Sequence, residues 1–280
     1  MLEPGDRPAD RRIVRRTSYR FAVAALWLLL ALWASASCAA GRPAEREARW
    51  HGATASSHWA GWSKREILRG DAAAVRVDGV AATAYTVHPG DVPGKNGERS
   101  EVSASVRDSG AQPGAVERYR WSTRFPASFR PVPDSTWNIV TQFHESDPDG
   151  CHPNLALQVN AQDGGERLRL TVRGGRLDTR TCDPEATETW DFAPLAREHW
   201  YRFDLLVGWS ASARRGFVQL AVDGRTVVPR TPHATLYRGQ SAYLKQGLYR
   251  GPADFAATVL HTGVTRQAEA AAPTASARRR

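Results

Sequence analysis

Lysine is nearly missing from this chain. Lys64, Lys95 and Lys245 are its only three, so arginine carries most of a formal net charge of +9, with a pI near 10.0. Such a balance suits an anionic partner, whether nucleic acid, acidic glycan or anionic membrane. A coding bias toward arginine gives the same charge, so charge alone selects none of the three. No nucleic-acid recognition motif accompanies it, and no nucleic-acid partner is expected. Cysteine is equally scarce: Cys38, Cys151 and Cys182 include no CxxC pair, which argues against a structural zinc site. No strong helical stretch and no repeat of solenoid period occur, which sets aside bundles and repeat arrays. Glycoside hydrolysis usually needs two carboxylates ~5 Å or ~6.5 to 9.5 Å apart, and no Glu-x-Asp-x-x-Glu strand offers them.

Strand signals are what the 280 residues do contain. They recur at Ala73 to Val77, Ala84 to His88, Arg118 to Phe125, Leu155 to Val159, Arg167 to Arg173, Tyr201 to Trp209 and Phe217 to Val222. With Asp223-Gly224 as a hairpin turn and Gly164-Gly165 and Gly174-Gly175 as other connections, the series predicts one all-β domain, a sandwich or jelly roll of antiparallel sheets. In Arg118 to Phe125, Tyr119, Trp121, Thr123 and Phe125 alternate with Arg118, Arg120, Ser122 and Arg124. The basic face is either a groove lining or a solvated outer surface.

The ends differ from this body. Basic Arg11 to Arg16 precedes apolar Phe21 to Trp33 and a small-residue stretch reaching Ala40, so residues 1–40 read as a secretory signal peptide and the protein as secreted. Cys38 stands where a lipoprotein cysteine would, but Ser35 replaces the usual leucine; without lipidation at Cys38 no stable membrane association is expected. Residues 41–58 read as a linker, 59–264 as the domain and 265–280 as a disordered tail, the ends being rich in Ala, Arg, Ser, Glu and Pro. In an oxidising compartment Cys151 and Cys182 are expected to form a disulfide, closing a loop worth ~3 kcal/mol.

Three short strands carry the chemistry. Alternation puts Tyr243, Lys245 and Tyr249 on one face, with Leu244 and Leu248 pointing into a core. From Trp137 to His144, it groups Gln142 and His144 with Asn138 and Val140, and sets Trp137, Ile139, Thr141 and Phe143 on the other side. Arg99 and Glu101 share a face opposite Ser100 and Val102. Phenols, an imidazole, an amide and cations on converging faces suit proton transfer on an acidic sugar polymer. The segment His144 to His152 also holds metal donors, but Asp147, Pro148, Asp149 and Gly150 read first as turn residues. No cofactor is expected, with a calcium ion there as the alternative.

In these residues the chain resembles the jelly-roll polysaccharide lyases, which include alginate lyases and the heparin lyase I and glucuronan lyase relatives. The alginate lyase pattern Arg-x-Glu-Leu-Arg, Gln-(Ile/Val)-His and Tyr-Phe-Lys-Ala-Gly-x-Tyr has counterparts at Arg99 to Ser103, Gln142 to His144 and Tyr243 to Tyr249. Val102 and Ser103 depart from the first motif, and Arg250-Gly251 looks more like the heparin lyase I relatives. The likeness runs from about Asp71 to Val264. It implies a β-jelly roll, a concanavalin A-like sandwich of two antiparallel sheets, and cleavage of a uronate polymer by β-elimination. Arg99 and Gln142 would then stabilise the developing enolate, while His144 and Tyr249 handle protons, either one as base. Tyr243, Lys245, Glu101 and Arg250 would contact substrate, although Lys245 could instead only pair with Glu101. A histidine base must be neutral, which the ordinary imidazole pKa of about 6.5 allows at neutral pH. The expectation is a monomer acting on an acidic polysaccharide; a non-catalytic glycan-binding jelly roll is the alternative.

Overall fold

The computed structural model describes residues 50–54, 59–68, 71–94, 96–133, 137–146, 150–161 and 165–269. In chain order these form β1 (Trp50–Gly52), β2 (Lys64–Glu66), β3 (Ala72–Val77), β4 (Val80–Val87), β5 (Glu98–Ser103), the one-turn helix α1 (Val106–Ser109) and β6 (Val116–Arg124). They continue with β7 (Asn138–Glu145), β8 (Leu155–Asn160), β9 (Arg167–Asp178), β10 (Asp183–Pro194), β11 (Trp200–Gly208), β12 (Phe217–Val222) and β13 (Arg225–Pro232). The last three are β14 (Ala242–Arg250), β15 (Ala257–His261) and β16 (Val264–Ala268). Each strand read from the sequence overlaps one of these.

The strands build two antiparallel sheets, the jelly roll expected. One runs β13-β12-β11-β6-β15-β4-β3, with β16 pairing both β6 and β1; the other runs β10-β9-β8-β7-β14-β5-β2. Alternation explains the core between them. From the first sheet come Tyr119, Trp121, Phe203 and Leu205, and from the second Phe143, Leu157, Leu170, Leu244 and Leu248, all buried in one cluster. Tyr119 packs edge-on against Phe143 at 4.7 Å between ring centroids, and Trp121 stacks on Phe203 at 5.1 Å, contacts that add to the area they bury.

The basic face of β6 lies on the first sheet, away from β5, β7 and β14. Arg118 and Arg120 both reach Asp204, at 2.7 and 2.9 Å, and Arg124 bridges Asp78 and Glu198 at 2.6 and 2.7 Å. Of the two readings for this face, a paired outer surface is the one realised.

Two boundaries shift. Strand β1 lies inside the expected linker 41–58, and β16 runs into the expected tail 265–280: Trp50 pairs with Arg266 and Gly52 with Val264. Trp50 is buried, its indole N–H donating to the Gly61 carbonyl at 3.1 Å and its ring edge-on to Trp62. Strands this short leave no readable period. Gly174-Gly175 is likewise no connection but part of β9, where a Cβ on Gly174 would fall 2.3 Å from the Ala234 carbonyl oxygen. Asp223-Gly224 does make the β12–β13 turn, with both φ angles positive. The disulfide forms between Cys151 and Cys182, 31 positions apart, tying the segment after β7 to the turn between β9 and β10. The signal peptide, Cys38, Lys95, Asp147 to Asp149, Gly164 and Arg278 to Arg280 lie outside the described residues.

One buried polar chain links the sheets. The Trp121 indole donates to Thr123 Oγ1 at 3.2 Å, Thr123 Oγ1 bonds His261 Nδ1 at 3.0 Å, and His261 Nε2 meets the Gly247 carbonyl at 3.0 Å. A carbonyl only accepts, so Nε2 carries the proton and Nδ1 accepts from the threonine hydroxyl. Burial pushes the His261 pKa down to about 3, against a small opposing effect of the Gly247 bond. Between its unfolded pKa near 6.5 and about 3, the unfolded chain therefore binds the extra proton, and stability falls as the pH falls through that window. Replacing His261 with Gln should remove this slope, about 1 kcal/mol per pH unit, from urea unfolding curves taken at pH 7, 6 and 5. Parallel pH dependences in the two proteins would contradict the buried neutral histidine.

Candidate active site

Strand β14 lies between β7 and β5, so the three predicted motifs are neighbours. Tyr243 pairs with His144 and Lys245 with Gln142 on one side; Gly247 pairs with Glu101 and Tyr249 with Arg99 on the other. Leu244, Leu248, Val102 and Phe143 enter the core, which sends Tyr243, Lys245, Tyr249, Arg99, Glu101, Gln142 and His144 to the outer face of this sheet.

The alternation predicted for β7 fails at one place. Ile139 pairs with Gln158 but Thr141 with Leu157, so β7 carries an extra residue there. Val140 is a core residue and Thr141 follows Leu157 inward, so everything before the bulge changes face. Trp137 and Ile139 therefore join the site face instead of opposing it. Ile139 pairs with Tyr249, and the Trp137 ring lies 5.4 Å from the Tyr249 ring.

Under this face sits a compact charge cluster. Lys245 Nζ lies 2.6 Å from Glu66 Oε2 and 2.8 Å from Glu101 Oε2, and Gln142 Nε2 donates to Glu101 Oε1 at 2.8 Å. Glu66, from β2, stands directly opposite Glu101 in register. Two carboxylates so placed repel unless a cation lies between them. Burial works to raise the Glu66 pKa, but Lys245 beside it, with Arg99 and Lys64, pulls it down to about 2. Burial likewise works to lower that of Lys245, and Glu101 and Glu66 outweigh it, so the ammonium is held above its ordinary range.

Proton-transfer groups flank this floor. At one end, His144 Nδ1 meets the Glu145 carbonyl at 3.2 Å and lies 2.9 Å from the Glu145 carboxylate. Both partners only accept, so Nδ1 carries the proton and Nε2 keeps its lone pair. Glu145 is fully buried, its other oxygen accepting from the Cys151 backbone N–H beside the disulfide, while 22% of the His144 side chain is exposed. Tyr243 packs next to it, ring centroids 5.7 Å apart. At the other end, the Arg99 guanidinium lies 3.9 Å over the Tyr249 ring, with Nη1 3.7 Å from Glu101 and 3.9 Å from Glu66. Burial raises the Tyr249 pKa above its ordinary value, with Arg99 opposing and Glu101 assisting. Gly97 makes room for this phenol: at φ +64, a Cβ there would lie 2.5 Å from the Tyr249 ring and 2.9 Å from Trp137.

Several expected contacts change. Arg250 does not face the groove: it follows Leu248 inward, fully buried, with Nε and Nη2 3.0 and 2.9 Å from Glu98 Oε2. An even position on β14 dictates that. Lys245, Glu101 and Gln142 are also buried beneath the surface, so they shape the floor and leave Arg99, Tyr243, His144 and Tyr249 as the groups facing outward. Glu66 and Glu145 were not singled out in the sequence. The first sits on a three-residue strand, and the second is the next residue after a recognised motif. Among the described residues no group of three or more His, Cys, Asp or Glu side chains is placed to hold a metal ion; Asp147 and Asp149 are not among them.

The model of a family described as polysaccharide lyase matches residues 53–268. The chain belongs to the polysaccharide lyase family. Among solved structures, the lyase is similar to an endo-β-1,4-glucuronan lyase from the fungus Trichoderma reesei, 20% identical, with a TM-score of 0.63 over 79% of this chain and 96% of that one. It also resembles the alginate lyase AlyC3, 15% identical, with a TM-score of 0.50 over 67% of this chain and 75% of that one. At these identities the likeness speaks for the fold. None of the curated proteins matches the lyase in sequence.

Removing the central cation of the floor should be costly. Lys245→Met leaves Glu66 and Glu101 facing each other, an expected loss of about 3–5 kcal/mol at pH 7. One of the two carboxylates must then take up a proton, so much of the deficit should be recovered near pH 4.5. Urea unfolding at both pH values checks this; a small, pH-independent loss would show that the cation does not hold the carboxylates together.

Proposed function

We propose that the lyase is a secreted enzyme that cleaves a uronic-acid polysaccharide by β-elimination, leaving an unsaturated uronate at the new non-reducing end. The observation that carries this reading is the division of labour on the site face. Both carboxylates under it are tied to Lys245, and Glu66 is held at about 2. A carboxyl that low cannot serve as the general acid of hydrolysis, which needs a raised pKa. What faces outward is an imidazole with a free Nε2, two phenols and a guanidinium.

The steps follow from those groups. Arg99 pairs with the uronate carboxylate and gains strength as negative charge builds on it. Glu101, steadied by Gln142 and Lys245, keeps the guanidinium in place from below; Gln142 thus acts through Glu101, not on the sugar. His144 Nε2 removes the ring proton next to the carboxylate. The electron pair of that C–H bond becomes the new double bond, and the glycosidic C–O bond on the neighbouring carbon breaks. Tyr249 gives its proton to the departing oxygen. Its raised pKa keeps it protonated at neutral pH, which suits an acid better than a base. Tyr243, beside His144, borders the same surface and packs against a neighbouring sugar.

Secretion rests on the basic and apolar start of the sequence and agrees with the Cys151–Cys182 disulfide. A panel of polyuronates should yield ultraviolet absorbance from the unsaturated product with at least one member, and Tyr249→Phe and His144→Ala should each lower the rate about 100-fold or more without unfolding the protein. Binding without any turnover across the panel would favour a glycan-binding protein instead.

The pH profile separates the two proton carriers. With His144 as base, the rate falls in acid, where a protonated Nε2 has no lone pair to take the ring proton. With Tyr249 as acid, its pKa raised by burial, the rate holds through mildly alkaline pH and declines only above the ordinary phenol range. A rate still climbing at pH 10 would instead make the phenolate the base.

A further inference from the structure

Strand β9 extends the site face toward the far edge of the sheet. Leu168, Leu170 and Val172 enter the core, so Arg169, Thr171 and Arg173 lie on the same face as His144 and Tyr249. Register carries one row across the strands. Tyr243 pairs with His144, Phe143 with Leu155, and Leu155 with Val172. The Arg173 N–H bonds the Asn154 carbonyl at 2.6 Å, and Thr187 pairs with Arg173. Arg173 therefore stands in the His144 row, two strands away, or ~10 Å. Two extended pyranose units span that distance.

The arginines of this face differ in their partners. Arg169 makes a two-pronged contact with Asp191, 2.7 Å for each bond, and Arg99 stands over Glu66 and Glu101. Arg173 has no carboxylate within salt-bridge distance among the described residues. Among the described residues its guanidinium meets only the Pro153 carbonyl, at 3.4 Å, in a segment held by the disulfide and by the Tyr237 hydroxyl donating to the His152 carbonyl at 3.1 Å. Burial works against its charge, with Tyr237 partly opposing. A half-buried guanidinium without a counter-ion is costly, and its planar fork matches a carboxylate.

We propose that Arg173 binds the carboxylate of a uronate unit about two sugars from the scissile bond, on the His144 side, and so anchors the polymer without entering the chemistry. This rests on the polyuronate reading above. It makes a length requirement: chains too short to reach from the scissile bond to Arg173 gain nothing from it.

The test measures kcat and KM for the wild type, Arg173→Gln and Arg173→Lys on size-graded oligomers of whichever polyuronate the wild type cleaves. For long oligomers the Gln variant should raise KM about tenfold or more, the range of a lost hydrogen bond to a charged group, with kcat within about twofold. The shortest cleaved oligomer should show no change, and Lys should restore part of the loss. Equal KM values at every length, or the same rise for short and long chains in variants that melt like the wild type, would overturn the proposal. If the wild type cleaves no polyuronate, it is the functional reading that fails. Affinity electrophoresis in polyuronate gels then decides the anchor alone: retardation lost in Arg173→Gln supports it, and equal mobility of the two proteins overturns it.

Discussion

Lys245 sits between the fully buried Glu101 and the partly buried Glu66, and the rest of the site is arranged around that fact. β2 and β5 bring Glu66 and Glu101 face to face, a pairing the sheet could not tolerate without an ammonium at 2.6 and 2.8 Å. To deliver it, β14 must run close against β5. Gly247 permits this, because a Cβ at that position would fall 2.1 Å from the Ser100 carbonyl oxygen. The same glycine's carbonyl is held from across the sandwich by His261. Core, register and site are thus one construction: the glycine that lets the strands approach also places Lys245 over the carboxylates and Tyr249 beside Arg99.

This arrangement separates charge that holds the floor from charge that faces the substrate. Burying ions costs solvation that pairing must offset, so Lys245 is shared by the two carboxylates, Arg99 above them balances the remaining negative charge, and the floor's own members are unavailable for contact. His144 and Tyr249, at opposite ends of it, each take their properties from a neighbour. Glu145 fixes which imidazole nitrogen is protonated, and Glu145 is itself held by the backbone N–H of a disulfide-bonded residue. Burial keeps the Tyr249 phenol protonated while Arg99 lies over its ring. An acid, a base and a cation without an available carboxylate match elimination from a uronate better than hydrolysis of a neutral sugar.

Much of this was legible in the sequence because period-two alternation is a strong signal on strands of six to nine residues. It placed Arg99, Glu101, Gln142, His144, Tyr243, Lys245 and Tyr249 on one face, and Leu244 and Leu248 inside. It failed where the period is interrupted or too short to see. The bulge at Val140 turned Trp137 and Ile139 toward the site, which no residue type announces. Glu66 and Trp50 lie on three-residue strands, whose pairing depends on distant partners. Arg250 was assigned to substrate by its motif, whereas its even position sends it inward to Glu98. Lys245 shows the opposite lesson: the plain alternative of an ion pair with Glu101 was half of the arrangement, and Glu66 supplied the rest.

The central claim is that a bond in the polymer breaks by loss of a proton and not by addition of water. Mass spectrometry of the fragments from a single cut in a polyuronate oligomer of known length tests it most directly. Elimination predicts two fragments whose masses sum to that of the starting oligomer. Fragments heavier in sum by one water would mean hydrolysis, and would contradict the roles given to His144, Tyr249 and the locked carboxylates beneath them.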